Sequence, residues 1–277
     1  MPKACILCKC EKYQTIWSYQ EPDQYEAHIR ITAEDYYRAW VQCTNCGFYY
    51  SIYSRPENAL DELYETAYRG NVPWRKMGVE ETFKKVTALP PEKSETKTRI
   101  NWIKGELARL RKEGFVPERL GPYELLDIGG GNGIMGYEFQ DKDWKSSVID
   151  PNDGVSFVKT VGLDYEQGFY KPGMFTRKFD MLSLVNVLEH VLDPVAVLDG
   201  SARDLNPGGF IYIEVPDAIN FKLKPKDDDI FNSCHLWFWD PITLGGMLNR
   251  VGYDPLAVKR FHAAKGHYGL MVLAAAN

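Results

Sequence analysis

The chain has 277 residues, 44% hydrophobic and 26% charged, a balance that excludes wholesale disorder and suits one α/β domain with a smaller attachment. Its formal net charge of −5 and pI near 5.6 give no footprint of a general nucleic-acid binder. The opening MPKACILCKCEKYQ has no signal-peptide core and no apolar run approaches a bilayer span, so a cytoplasmic protein without a membrane partner is expected.

Residues 1–60 form the first expected unit. Five of the six cysteines lie within the first 46 residues, among short aromatic strand-like runs such as AWVQC and GFYYSIY. Cys5 and Cys8 are separated by two residues, as are Cys43 and Cys46, with 34 residues between the pairs. Two such turns brought together present four thiolates tetrahedrally, and Gly47 allows the tight turn after the second pair. A structural Zn2+ with a closed ligand set is expected; Cys10 is a spare, and Cys234 a packed thiol far away in sequence.

Residues 61–113 read as a helical connector. Leu60, Leu63, Tyr64 and Ala67 fall at helical spacing, and Ile100, Ile103, Leu107 and Leu110 repeat it; TALPPEKSET breaks the pattern between them. The cations of KGELARLRK, at 104–112, fit a solvated helix face.

From 114 to 277 strands alternate with helices. Strands are expected at YELLDI, KSSVID, FDMLSLVNV, GGFIYIEV and YGLMVLAA, and helices at 133–140, 193–206 and 240–251. This is the sequence of an α/β fold with a Rossmann-like parallel sheet covered on both faces, in which ligands bind outside the carboxyl ends of the strands.

LLDIGGGNG, at 125–133, lies at such an end. Gly131 to Gly136 satisfies the dinucleotide pattern GxGxxG, but the carboxylate of Asp127 would oppose a pyrophosphate held there. S-adenosyl-L-methionine carries an ammonium instead. Asp127 is expected to attract it while Gly129, Gly131 and Gly133 let backbone approach, and Asp150, 23 positions after Asp127, is expected to accept hydrogen bonds from a ribose.

With these residues, FDMLSLVNVLEHVLDP at 179–194 and LNPGGFIYIEVPD at 205–217, the chain resembles the class I S-adenosylmethionine-dependent methyltransferases over roughly residues 95–277. The resemblance implies a seven-stranded sheet, places Asn186 beside the methionine moiety and sets Gln167, Gly168 and Phe169 along the adenine. The order zinc ribbon, helical connector, methyltransferase domain is similar to bacterial enzymes that methylate sugars and small metabolites, which makes Tyr64 and Tyr68 the aromatic groups expected over the cleft.

A hydroxyl acceptor needs a base, and His190 and His235 lie after the fourth and fifth strands. Related sugar C-methyltransferases carry a tyrosine, a glutamate and a histidine in the loop of His235. This chain has Asn232 and Cys234 where the first two are expected, which favours oxygen or nitrogen as the methylated atom and His235 as the base. Trp237 is the candidate stacking surface for a sugar-type or ring acceptor. Two other readings stay open: an RNA methyltransferase that uses the ribbon for RNA, and a non-catalytic cofactor-binding scaffold or sensor.

Overall fold

The computed structural model describes residues 4–28, 36–55, 78–116, 121–151, 155–263 and 266–277, with single positions at 31, 59 and 62. Tyr64 and Tyr68 lie outside the described residues.

Seven strands form the main sheet: β4 (Tyr123–Ile128), β5 (Trp144–Asp150), β6 (Asp164–Gln167), β7 (Phe179–Val185), β8 (Leu205–Pro216), β10 (Tyr253–His262) and β11 (Tyr268–Ala276). Their order is β10-β11-β8-β7-β4-β5-β6. Strands β4 to β8 pair in parallel, as the alternation with helices predicts, whereas β11 runs antiparallel to β8 and β10 antiparallel to β11. Sequence reading anticipated β11 but not β10. That strand is an edge, bears Lys259 and Arg260, and bulges between Pro255 and Ala257, features that blunt an edge and weaken its apolar signal.

The period-two alternation divides the sheet residues between two cores. Leu125, Met181 and Tyr212 meet one face of α2 (Glu95–Lys112), which buries Ile100, Ile103, Leu107 and Leu110 there; Ser94 caps that helix by accepting from the Lys97 N–H at 3.1 Å. Residues 95–112, expected within the connector, are therefore packed on the sheet. Leu126, Leu182 and Ile211 face the other way, against α5 (Pro194–Ser201) and α6 (Pro241–Arg250), through Leu198, Leu244 and Met247. Two shorter helices, α3 (Ile134–Phe139) and α4 (Val155–Thr160), follow β4 and β5, and α1 (Val79–Thr87) precedes α2.

The N-terminal unit is a sheet of β1 (Tyr13–Tyr19), β2 (Arg38–Cys43) and β3 (Tyr49–Tyr53), completed by a two-residue strand from the far end of the chain, β9 (Trp237–Phe238). Cys5, Leu7, Val41, Phe48 and Tyr50 share one core with Leu184, Trp239 and Leu244. A unit too small to bury much surface by itself thus borrows a strand and a core from its neighbour.

The sheet order reverses between β5 and β7 on either side of β4. Loops leaving the carboxyl ends of β4 and β7 diverge at this switch point and open a crevice.

Candidate active site

The loop after β4 is held by its own backbone. Gly131 donates its N–H to Asp150 Oδ2 at 2.8 Å, and Gly129 donates to the Ile149 carbonyl at 2.8 Å, so the loop is tied to the end of β5. The glycines have different reasons to be there. A Cβ on Gly129 would lie 2.6 Å from Val187 Cγ2, and one on Gly133 would lie 2.8 Å from Val158 Cγ1. At both positions the protein's own valines leave no room for a side chain. Gly131 borders open space, and its φ of +56° is what favours glycine.

Asp127 lies beneath this loop, 1% exposed, with Oδ1 accepting from the Ser183 hydroxyl. Its Oδ2 has no hydrogen-bond partner, and a Cβ on Gly130 would come within 2.5 Å of it. Burial pushes the Asp127 carboxyl up to about 7, against the opposing pull of Ser183 and Arg99. An unpartnered carboxylate oxygen under a position with no side chain suits a donor that is also a cation, which is the end of S-adenosylmethionine expected here. Around the same crevice, Gln167 and Phe169 are exposed, the phenyl ring by 45%, and Gly168 donates to the Asp150 carbonyl at 3.0 Å. Asn186 ends β7 at φ +53°, a left-handed conformation that is strained for a residue with a Cβ and is common at functional sites. That turn is why β7 stops before the predicted end of FDMLSLVNV.

The structure brings the two candidate bases together. His190 and His235 have ring centroids 4.8 Å apart. Nδ1 of His190 donates to the Cys234 carbonyl at 3.0 Å and Nδ1 of His235 to the Ile230 carbonyl at 2.7 Å, because a carbonyl can only accept. Each Nε2 is then the lone-pair nitrogen. Burial lowers both groups, His190 to about 3 with help from the neighbouring His235, and His235 to about 4, so both rings are neutral at pH 7.

Trp237 does not offer a stacking face. It is 3% exposed, stacks on Phe48 with centroids 6.0 Å apart, and donates its indole N–H to the Val191 carbonyl at 2.6 Å. Its role is to fix β9 to the ribbon. Sequence reading also missed the Arg99 guanidinium, which grips Glu214 through Nε and Nη2, with Tyr212 donating to the same carboxylate at 2.7 Å. The available signals were a cation on the apolar stripe of α2 and an acid inside the apolar run FIYIEV.

In the ribbon, Cys5 Sγ lies 3.6 Å from Cys46 Sγ and Cys8 Sγ 3.5 Å from Cys43 Sγ, with all four sulfurs within 4.8 Å of one another. Thiolates about 2.3 Å from a tetrahedral ion sit roughly 3.8 Å apart, so the donor set and its spacing fit zinc. Cys10 turns away towards the Lys12 carbonyl. The ribbon also clamps the loop that carries His235: Arg38 Nη1 donates to the Phe231 carbonyl at 2.6 Å, Arg55 Nη2 to the Ser233 carbonyl at 2.7 Å, and Leu236 accepts from the Ser51 N–H at 2.8 Å. Arg55 is itself paired with buried Glu26.

An open α/β sheet whose switch point carries a glycine loop, an acid beneath it and an acid at the next strand end defines a nucleoside-cofactor site of the Rossmann-like class. The chain belongs to the methyltransferase domain family, whose profile matches residues 85–258, well over half of its length. It is similar to ubiquinone biosynthesis O-methyltransferases from Psychrobacter cryohalolentis, at 26% identity over 49% of this chain and 55% of the relative, and from Caulobacter vibrioides, at 29% over 39% and 46%. The chain thus spans about half the length of the curated relatives it matches. Among solved structures, the Burkholderia thailandensis 1,6-didemethyltoxoflavin-N1-methyltransferase, with S-adenosylhomocysteine bound, shares the fold with a TM-score of 0.55 and 14% identity, over 90% of this chain and 98% of that one. No helix among the described residues is long and apolar enough to cross a membrane.

Proposed function

We propose that the protein transfers a methyl group from S-adenosylmethionine to an oxygen or nitrogen of a small or glycan-like acceptor, with a zinc ion in the cysteine ribbon holding one wall of the acceptor site. The observation that carries this reading is Asp127 Oδ2, buried and unpartnered beneath the glycine loop. Asp127, Gly131, Asp150 and Phe169 would hold the cofactor, and Gln167, Gly168 and Asn186 would border it. When bound, the cofactor supplies a strongly electrophilic methyl group. The protein's own task is to align the acceptor and manage its proton.

His235 presents Nε2 as a hydrogen-bond acceptor and holds the acceptor hydroxyl in one orientation, with His190 packed beside it. Because the ribbon fixes the His235 loop through Arg38, Arg55 and β3, acceptor alignment depends on the cysteine turns. Relatives named as O-methyltransferases, and a fold neighbour named as an N-methyltransferase acting on 1,6-didemethyltoxoflavin, are consistent with a small acceptor.

The test is incubation of the purified chain with methyl-labelled S-adenosylmethionine and pooled cell metabolites, followed by mass spectrometry. A labelled small molecule is expected, and Asp127→Ala should abolish it. Label that appears only in RNA, with a steep loss at higher salt, would overturn the acceptor assignment. Cofactor binding without any labelled product would leave a scaffold.

A further inference from the structure

Glu189 is placed beside the two histidines by the short turn Leu188–His190 that follows β7. The turn is stitched to the His235 loop, because Leu236 donates its N–H to the Glu189 carbonyl at 2.7 Å. Glu189 is 1% exposed and its Oε2 has no hydrogen-bond partner. Its Oε1 lies 4.0 Å from His190 Nε2, and one carboxylate oxygen and one nitrogen from each ring all fall within 4.8 Å of one another. Among the described residues Glu189 makes no ion pair with a lysine or arginine; its one basic neighbour within 4.0 Å is His190. A buried carboxyl group and two lone-pair nitrogens therefore meet at one point.

The rings are also prepared for a particular partner. Metal-bound histidines usually donate their other ring N–H to a carbonyl or carboxylate, which fixes the tautomer and aims the lone pair at the ion. Both rings here do this, to Cys234 and Ile230. A base in an acceptor site needs one such histidine; two with the same tautomer around a carboxyl group with one unpartnered oxygen form a ligand set. Bonds of about 2.0 to 2.2 Å need ligand atoms roughly 3 to 4 Å apart, a range whose upper edge the 4.0 Å between Glu189 Oε1 and His190 Nε2 already reaches.

We propose that Glu189, His190 and His235 form a second metal centre, which binds a divalent transition-metal ion through the Glu189 carboxylate and both Nε2 atoms and keeps positions open for the acceptor's oxygen. Imidazole with a single carboxylate selects zinc, cobalt or iron over magnesium and calcium, and three protein ligands leave room for a fourth from substrate. The proposal deepens the methyl-transfer reading and rests on it for the acceptor: with the ion bound, the metal takes over from the hydrogen bond to His235 Nε2 in holding the acceptor oxygen. An ion at this point acidifies a coordinated hydroxyl, so the bound oxygen presents itself as an alkoxide or phenolate, and its proton leaves to solvent. Acceptors with a second oxygen beside the methylated one would chelate the ion and be preferred.

Cobalt(II) titration of the chelator-treated full chain separates the two centres by colour. Cobalt in the cysteine site gives an intense thiolate charge-transfer band, whereas cobalt held by two imidazoles and a carboxylate gives only weak ligand-field bands. The expected result is a thiolate band that saturates first, followed by a further ion without thiolate character. Glu189→Gln and His235→Gln should each keep the thiolate band, which reports a folded ribbon, and weaken the further ion by about 100-fold or more. Saturation of the wild type by the thiolate-bound ion alone would overturn the proposal and leave Glu189 as a buried, protonated acid. Retention of the further ion in both variants would overturn it equally. Calorimetry with S-adenosylmethionine and the labelled-methyl assay, run on the same samples, report on the methyl-transfer reading independently: an imidazole-bound ion without methyl transfer sinks that reading and spares the metal centre.

Discussion

The cysteine turns and the glycine loop are both short backbone devices that present polar groups to a ligand, and they are supported in opposite ways. The glycine loop stands on β4 and β5, whose Leu125, Leu126 and Val148 are fully buried, so its shape is set by a sheet core that exists without ligand. The ribbon brings four sulfurs within 4.8 Å on a three-stranded meander that needs β9 and a shared core to be covered. Under the zinc-bound reading its geometry depends on the ion as well as on the neighbour. Cofactor binding should therefore be robust and acceptor alignment conditional, since the His235 loop hangs from the conditional part.

The sharpest way to break this comparison is Cys46→Ser, which removes one ribbon thiolate and leaves the groups around His235 chemically unchanged. We expect methyl transfer to fall by about 100-fold, the scale of a misaligned acceptor, while S-adenosylmethionine affinity by calorimetry changes by less than about threefold. Equal losses in both would mean that the ribbon supports the whole fold rather than one wall of the site.

Within the glycine loop the contrast between packing and conformation can be measured directly. Gly129→Ala meets Val187 as well as a positive φ, and we expect it to lower stability by about 2 kcal/mol or more, with the melting temperature falling by several degrees. Gly131→Ala meets open space and bears only the backbone strain, about 1 kcal/mol. Equal destabilisation in thermal melts would remove the packing argument for Gly129.

The ionisation of Asp127 ties this loop to pH. Burial raises its folded pKa from the ordinary value of 3.8 to about 7, so the buried charge costs nothing below the unfolded value, destabilises progressively from there to about 7, and costs a constant amount above it. A cationic ligand binds the ionised form. Below pH 7 the free protein must first release a proton, and we expect S-adenosylmethionine affinity to weaken by up to about tenfold per pH unit from 7 to 5. Asp127→Asn should flatten that profile, bind the cofactor poorly and yet stabilise the unliganded protein at pH 8. A pH-independent wild-type affinity would show that Asp127 does not meet the ammonium.

How much of this was legible in the sequence follows from the range of each signal. The parallel strands, the switch-point loop and the paired cysteines are local patterns, and 123–128, 144–150 and 179–185 appear in the structure close to their expected bounds. Contacts across the chain left no local mark. Trp237 reads as an exposed stacking ring because WFW looks the same whether it faces a cleft or pairs with Tyr50 of a ribbon more than 180 residues away. The Arg99 and Glu214 pair spans 115 positions, and neither residue announces the other. The sequence offers His190 and His235 as two separate bases; only the fold shows that they share a point with Glu189.

The smallest prediction tests the resemblance between the two cysteine turns. Gly47, after the second pair, has φ +76°, and its N–H donates to the Cys43 carbonyl at 3.0 Å; Lys9, after the first pair, has φ +60° and donates to the Cys5 carbonyl at 2.8 Å. The turns are equivalent, but the first places a residue with a Cβ in the left-handed region. Because Lys9 is exposed, Lys9→Gly loses no packing and relieves that strain, offset partly by the greater freedom of glycine in the unfolded chain. We expect a net stabilisation of about 0.5 to 1 kcal/mol, seen as a twofold to fivefold gain in zinc affinity by chelator competition. The reverse change, Gly47→Lys, adds the same strain where a Cβ would meet only Gln42 Nε2 at 3.8 Å, and should weaken zinc binding by a similar factor. Opposite and comparable shifts would show that backbone conformation, not side-chain packing, sets the cost of each turn.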